Sequence, residues 1–368
     1  MTDIHVQPGK PTILDHNYEV TPGEYLRAEL SIRGISQADL AVRAGVSAKH
    51  LNQIVQDVVP LSTDTALRLE RALGISANLL TQLDASHQAK KGRSKAESKL
   101  SDFHSWFSKF SLALLIDHKI VTAKATLEQQ IGELLTFFAV AEPSGYERMY
   151  SDSLQSFRRA QHLNVDPQAT SVWLRLAERR AEGLDLATYS KSEFTKLLSV
   201  LPGLTLEPFA DSFPLLQLRC AQVGVAVVCT PSLTGTRASA AVRWMGPERP
   251  VIALTGRGKY EDSVWFSFFH ESGHVILHSK RKSLVEFEHT DDTDGAETQA
   301  NNFAKSTLLR GRTGELSTLT TPSEVRAFAA DLGIHPGVPG GIRAYEIGNR
   351  GFQALSKLRR KLDDSELD

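Results

Sequence analysis

Apolar positions follow a helical rhythm to about residue 201, and a strand-like one enters after Pro202. Residues 1–18 show no sustained period and carry Pro8 and Pro11, so an extended arm is expected there. From Thr21, Pro22 and Gly23 to Leu83, short runs of helical spacing are broken by Gly34, Gly45, Pro60 and Gly74. That punctuation predicts about five compact helices, an all-α domain over residues 19–84. The segment SHQAKKGRSKAESK (86–99) sets Lys90, Lys91, Arg93, Lys95 and Lys99 against the lone acid Glu97. With almost nothing apolar, it reads as a solvated linker or an exposed helix. The rest of residues 85–200 is helical in pattern, as in EQQIGELLTFFAVAEP, where Ile131, Leu134, Leu135 and Phe138 recur at spacings of three and four. This middle region carries no chemical motif.

Past Pro202, the runs GVAVVCT (224–230), AAVRWM (240–245) and VIALT (251–255) are β-branched and bounded by turns, which predicts three strands. GPERP joins the last two into a hairpin, and one of its strands, as a sheet edge, is expected to hold an extended peptide by strand addition. Three helical patterns follow, VWFSFFHESGHVILH, AETQANNFAKSTLL and PSEVRAFAADLGI, giving an α+β domain over residues 201–350. Residues 351–368, ending SKLRRKLDDSELD, read as a charged tail. The expected fold is thus multidomain: an all-α domain, a helical middle region and an α+β domain.

At 368 residues the chain suits two or three domains of roughly 150 residues each. Its 41% hydrophobic and 23% charged residues exclude a disordered chain, a collagen and a coiled-coil rod. A net charge of −1 provides no global positive field, so any nucleic-acid contact has to come from a local surface. Two cysteines, Cys220 and Cys229, are too few for a disulfide framework and lack CxxC spacing, and the first residues lack a secretory pattern, so a cytoplasmic location is expected. The longest apolar clusters, Leu112 to Ile116 and Leu134 to Ala141, fall far short of the roughly 20 residues that span a bilayer, so no membrane partner is expected.

The strongest chemical signal is His270-Glu271-Ser272-Gly273-His274. Histidines at i and i+4 leave one helical face together and can reach a single ion, with Glu271 beside the open coordination position. Trp265, Phe266, Phe268, Phe269, Val275, Ile276 and Leu277 predict that this helix is buried nearly all round, where histidines need partners. A catalytic zinc usually takes three protein ligands and leaves one position for water. Glu297 suits the third, because it precedes Ala300, Ala304 and Leu308 at spacings of three, four and four on one inward face. Asp291, Asp292 and Asp294 are alternatives in a polar loop. The plainer readings are a zinc bound for stability only, or hydrogen-bonded core histidines.

These segments resemble the ImmA/IrrE family of zinc metallopeptidases, with its HExxH helix and its downstream Glu-x-x-Ala-Asn-x-Phe-Ala helix. The resemblance runs from about Leu201 to Ile347 and takes in AAVRWMGPERPVIALT and LGIHPGVPGGIRAY. It implies a zincin-like fold, Zn2+ held by His270, His274 and Glu297, and Glu271 as general base for peptide hydrolysis. Arg310 departs from the family pattern, where TLL is commonly followed by proline. His278, one turn further along the same face, reads as a supporting or surface histidine, and His335 and Arg343 as weaker candidates.

A second constellation, ISQADLAVRAGVSAKHLNQIV, fits a helix-turn-helix. Ser36 with Asp39 caps one helix, Gly45 suits a left-handed turn, and Ser47 caps the next, with Leu40, Val46, Leu51 and Ile54 inward. The second helix would enter the major groove and present Ser47, Ala48, Lys49, Asn52 and Gln53 to DNA. The run from Thr21 to Leu83 resembles the HigA-like antitoxin branch of Xre-type helix-turn-helix proteins. A helical protein-interaction module is the plainer reading, since the domain is slightly acidic; specific binding would lean on the basic linker, on dimerisation or on charge gathered on one face.

Together the modules point to a DNA-binding regulator, expected as a homodimer on operator DNA, whose zinc peptidase cleaves a protein partner, a repressor or a toxin. The alternative is a type II antitoxin that represses its operon and neutralises a toxin, with the metal domain as a non-catalytic scaffold. A housekeeping peptidase is disfavoured, because bulk proteolysis gains nothing from an operator-binding head.

Overall fold

The computed structural model describes residues 20–150, 165–236, 238–256, 260–278, 284–287, 295–348 and 354–362. The arm expected at residues 1–18, the loop acids Asp291, Asp292 and Asp294, and the end of the expected tail lie outside the described residues. The chain forms two compact units, residues 1–105 with 124–133, and residues 106–123 with 134–368. No helix among the described residues is long and apolar enough to cross a membrane.

The first unit opens with five helices, α1 (Pro22–Arg33), α2 (Gln37–Ala44), α3 (Ala48–Val55), α4 (Thr63–Leu73) and α5 (Ala77–Leu100). Local chemistry sets their limits. Thr21 and Glu24 form a reciprocal capping box at α1, the Ser36 hydroxyl accepts the Asp39 N–H at α2, and the Ser47 hydroxyl accepts the His50 N–H at α3. Gly45 ends α2 at φ +65°, a conformation that would strain a residue with a Cβ. Leu26, Leu40, Leu51, Ile54, Ala66, Leu69 and Leu80 fill the core, with Val46 packed at its margin. One lock joins α1 to the end of α3. Asp57, itself at φ +55°, accepts the Thr21 hydroxyl and the Gly23 N–H, and the Arg27 guanidinium donates to the Val55 carbonyl. The segment expected to be a linker or an exposed helix is helical: α5 runs unbroken from Ala77 to Leu100.

In the second unit, a four-stranded sheet has the order β1-β3-β2-β4, built from β1 (Ala226–Cys229), β2 (Ala238–Trp244), β3 (Pro250–Leu254) and β4 (Leu284–Phe287). β1 and β3 run parallel, and β2 runs antiparallel to both β3 and β4. The expected hairpin is therefore present, as β2 and β3. The expected use of that hairpin as a peptide-binding edge is not met: β3 lies between β1 and β2, and β2 between β3 and β4, so both hairpin strands are interior. β1 and β4 take the edges, and β4 was not anticipated.

Two helices labelled α6 (Pro167–Glu182) and α7 (Phe209–Ala221) pack on the sheet, as does α8 (Glu261–Leu277), which carries the His-Glu motif. Trp265, Phe268 and Phe269 of α8 join Val227, Ile252, Leu254, Phe209 and Leu216 in one buried core. Burial around α8 is less complete than the pattern implied, because Leu277 is exposed at its C-terminal end. α9 (Ala296–Leu308), α10 (Pro322–Leu332) and α11 (Gly337–Ile347) complete the unit.

The described part of the expected charged tail is packed. Leu355, Leu358 and Leu362 are buried. The Glu261 N–H donates to the Arg360 carbonyl at 3.1 Å, and Tyr260 bridges Lys361. Arg359 meets the Asp262 carboxylate at 2.8 Å and lies over the Tyr260 ring, and Arg360 meets Glu261 at 3.0 Å. These bonds clasp the first turn of α8. The pattern hid this because its apolar seam is only three leucines among four basic residues.

Candidate metal centre and helix-turn-helix surface

The histidine-bearing helix and the Glu297 helix approach closely because Gly273 has no side chain. A Cβ there would stand 3.2 Å from the Ala300 Cα and 3.2 Å from the Phe303 ring. Gly273→Val is therefore expected to overpack the seam and cost about 1–3 kcal/mol. Thermal unfolding checks this, and a variant as stable as wild type would show that the seam yields without cost.

Across that seam three side chains converge. The Nε2 atoms of His270 and His274 lie 2.9 Å apart. Glu297 reaches them through Oε2 at 3.2 Å and Oε1 at 3.5 Å. His270 and His274 are almost fully buried, and Glu297 is about one-third exposed, so the cluster has one side toward solvent. Bonds of about 2.0–2.1 Å place tetrahedral ligand atoms about 3.3 Å apart, close to these separations, so the donor set fits one small divalent ion.

Neighbouring groups hold the rings. His270 Nδ1 lies 3.0 Å from the Asn301 Oδ1, which accepts its proton and leaves the Nε2 lone pair facing the cluster. His274 Nδ1 lies 2.8 Å from His278 Nδ1, whose other nitrogen faces the Gln299 Oε1 at 3.3 Å. His278 thus meets the His274 ring at the nitrogen that faces away from the cluster. Asn301 and Gln299 escaped the sequence reading, although Asn301 sits four residues after Glu297 on the same helical face.

Burial alone would raise the Glu297 carboxyl, but the adjoining His270 and His274 rings hold it well below the usual carboxylate range. Burial lowers His274 below the ordinary imidazole value. An ionised carboxylate and a neutral imidazole are the states in which these groups donate a lone pair to a metal.

Glu271, on the same helix, is 1% exposed and is not one of the three converging residues. The remaining candidates lie elsewhere. The His335 Nδ1 accepts the Gly337 N–H, and the Arg343 Nε donates to the Leu319 carbonyl, so neither joins the cluster. Cys220 and Cys229 are free, packed thiols, and burial pushes the Cys229 thiol up to about 12. At the departure from the family pattern, Arg310 stands at φ +51° and its Nε donates to the Leu332 carbonyl. Proline, locked near −65°, could not adopt that backbone.

On the first unit, α3 turns Leu51, Ile54 and Val55 inward. Ser47, Ala48, Lys49 and Asn52 are exposed and Gln53 is half-buried, so these five candidates share the open side of the helix. The Gln56 amide, also exposed, donates to the Asn52 Oδ1 at 3.4 Å.

Residues 26–80 match the helix-turn-helix family, and residues 220–334 match the IrrE N-terminal-like domain of a peptidase family. No curated protein matches the chain. The first match spans α2, α3 and α4, and the second spans the sheet, α8 and α9, including His270, Glu271, His274 and Glu297. The chain is therefore a fusion of an Xre-type helix-turn-helix DNA-binding domain with an ImmA/IrrE-type peptidase domain, the architecture of a regulator that carries a peptidase.

Proposed function

We propose that this protein is a DNA-bound regulator whose zinc-dependent peptidase domain cleaves a regulatory protein partner, a repressor or a toxin. The observation that carries the reading is the convergence of His270, His274 and Glu297 beside the buried Glu271. In it, His270, His274 and Glu297 hold the ion, and Asn301 keeps the His270 ring turned toward it. Bound there, zinc would supply Lewis acidity to a water molecule and to the scissile carbonyl. Glu271 accepts the water's proton at a carboxylate oxygen and passes it to the departing amine nitrogen. The buried walls of α8 keep bulk water from competing for that proton.

Metal analysis of purified protein tests the first step. About one zinc per chain is expected in wild type and in Glu271→Gln, and little in His270→Ala, which keeps two of three ligands. Wild type without zinc would overturn the assignment. Cleavage is then assayed against the product of the adjacent gene. Zinc without cleavage favours the antitoxin reading, in which the metal domain is a scaffold.

On the DNA side, α3 is the reading helix, with Asn52 and Gln53 facing base edges and Ser47 and Lys49 the backbone or guanine. Asn52→Ala with Gln53→Ala is expected to weaken binding to a selected duplex by about 5- to 150-fold, taking 1–3 kcal/mol for a good bidentate contact. Fluorescence anisotropy measures it, and unchanged affinity would place the reading surface elsewhere.

A further inference from the structure

The long helix α5 has two unlike parts. Its first turns bury Ala77, Leu80 and Leu83, and Leu80 belongs to the helix-turn-helix core. From Ala89 to Lys99 every residue is exposed. That stretch holds Lys90, Lys91, Arg93, Lys95 and Lys99 against Glu97, five positive charges less one negative, or +4. None of the five basic side chains has an ion-pair partner among the described residues.

Lys91, Lys95 and Lys99 stand at i, i+4 and i+8, one ridge with a rise of about 6 Å between neighbours. Like charges at this spacing destabilise a helix, and a helix polar all round gains nothing from packing. An array of anions alongside would offset both costs.

The occupant follows from what surrounds the ridge. Residues 21–84 carry Arg27, Arg33, Arg43, Lys49, Arg68 and Arg71 against Glu24, Glu29, Asp39, Asp57, Asp64, Glu70 and Asp84, six positive against seven negative. A DNA reader draws its sequence-independent affinity from cations on phosphates, and these residues lack the excess without the exposed half of α5. A helix that adsorbs to a membrane needs an apolar face, and Ala89 to Lys99 has none. We propose that the exposed half of α5 is a phosphate-binding arm, its Lys91, Lys95 and Lys99 ridge contacting the DNA backbone outside the bases that α3 reads. This rests on α3 being the DNA-reading helix.

The test compares the full chain with K91Q/K95Q/K99Q and with K91R/K95R/K99R, on a duplex selected from a random library and on a 30-bp duplex of unrelated sequence. Each phosphate contact adds about 0.9 to the slope of log affinity against log salt, so losing three lowers it by about 2.7. From 200 to 50 mM salt, wild type should then gain roughly 40-fold more affinity than the Gln variant, on both duplexes alike. The Arg variant should keep the wild-type slope, and circular dichroism should show no loss of helix in either variant.

A Gln variant with the wild-type slope overturns the arm while leaving α3 untouched, since Asn52→Ala with Gln53→Ala reports on α3 separately. A wild type that binds neither duplex overturns both. Unchanged duplex binding with lost adsorption to phosphatidylserine vesicles would assign the ridge to a membrane surface and overturn the proposal.

Discussion

Glu271→Gln should retain its zinc and lose peptide cleavage by about 10²–10⁴-fold, the usual contribution of a positioned acid–base group. Gln has nearly the size of Glu, so the helix can pack as before, and His270, His274 and Glu297 are untouched. What disappears is the carboxylate that takes a proton in the proposed reaction. At 1% exposure, Glu271 stands where bulk water cannot substitute for it. Because the group acts on the transition state rather than on substrate binding, the loss should fall on kcat with KM near wild type. Steady-state kinetics on a cleaved peptide measures the split. Equal loss of zinc would mean that Glu271 is part of the ligand set. Full regulatory activity of the variant in cells would favour the scaffold reading.

Arg359→Ala should destabilise the second unit by about 3–5 kcal/mol, the cost of removing one partner of a buried ion pair. The side chains of Arg359 and Asp262 are each 7% exposed, so removal strands a carboxylate at the start of the motif helix. Asp262→Asn in the same chain should recover part of the loss, since no charge is then left buried. The pH dependence has a definite sign. Burial raises the Asp262 carboxyl above its ordinary value, and the Arg359 guanidinium pulls it back. Without Arg359 the folded-state pKa rises further. A group raised on folding stabilises most below its unfolded pKa and loses that contribution as pH rises through the folded one. The gap between wild type and Arg359→Ala should therefore be smallest below about pH 4 and reach its full size at neutral pH. Urea unfolding at both ends checks it, and a gap that ignores pH would remove Asp262 from the explanation.

Features set by near neighbours in the chain were the legible ones. Ser36, Gly45 and Ser47 mark helix ends through bonds spanning three to five residues, and the structure places the ends there. His270, His274 and Glu297 could be read as neighbours because two lie on one helical face and the third heads the inward face of another. Asn301 and Gln299 depended on how closely α8 meets α9, which Gly273 decides across the seam. The hairpin was visible, but its place inside the sheet was not, because β1 and β4 come from either side of it in the chain. The packed residues at 355–362 were hidden for a related reason: their arginines are matched by Glu261 and Asp262, acids that any local window omits.

That clasp also orders events in time. The helix-turn-helix core draws on side chains between Tyr25 and Leu80, so it can close soon after those residues leave the ribosome. The first turn of α8 waits for Arg360, whose side chain meets Glu261 across 99 positions. At about 5–20 residues per second, that interval is roughly 5–20 s. The DNA-binding half of each nascent chain thus matures well before the half that bears the histidine cluster, and translation arrested after α9 would leave a competent reader of DNA joined to an unfinished peptidase.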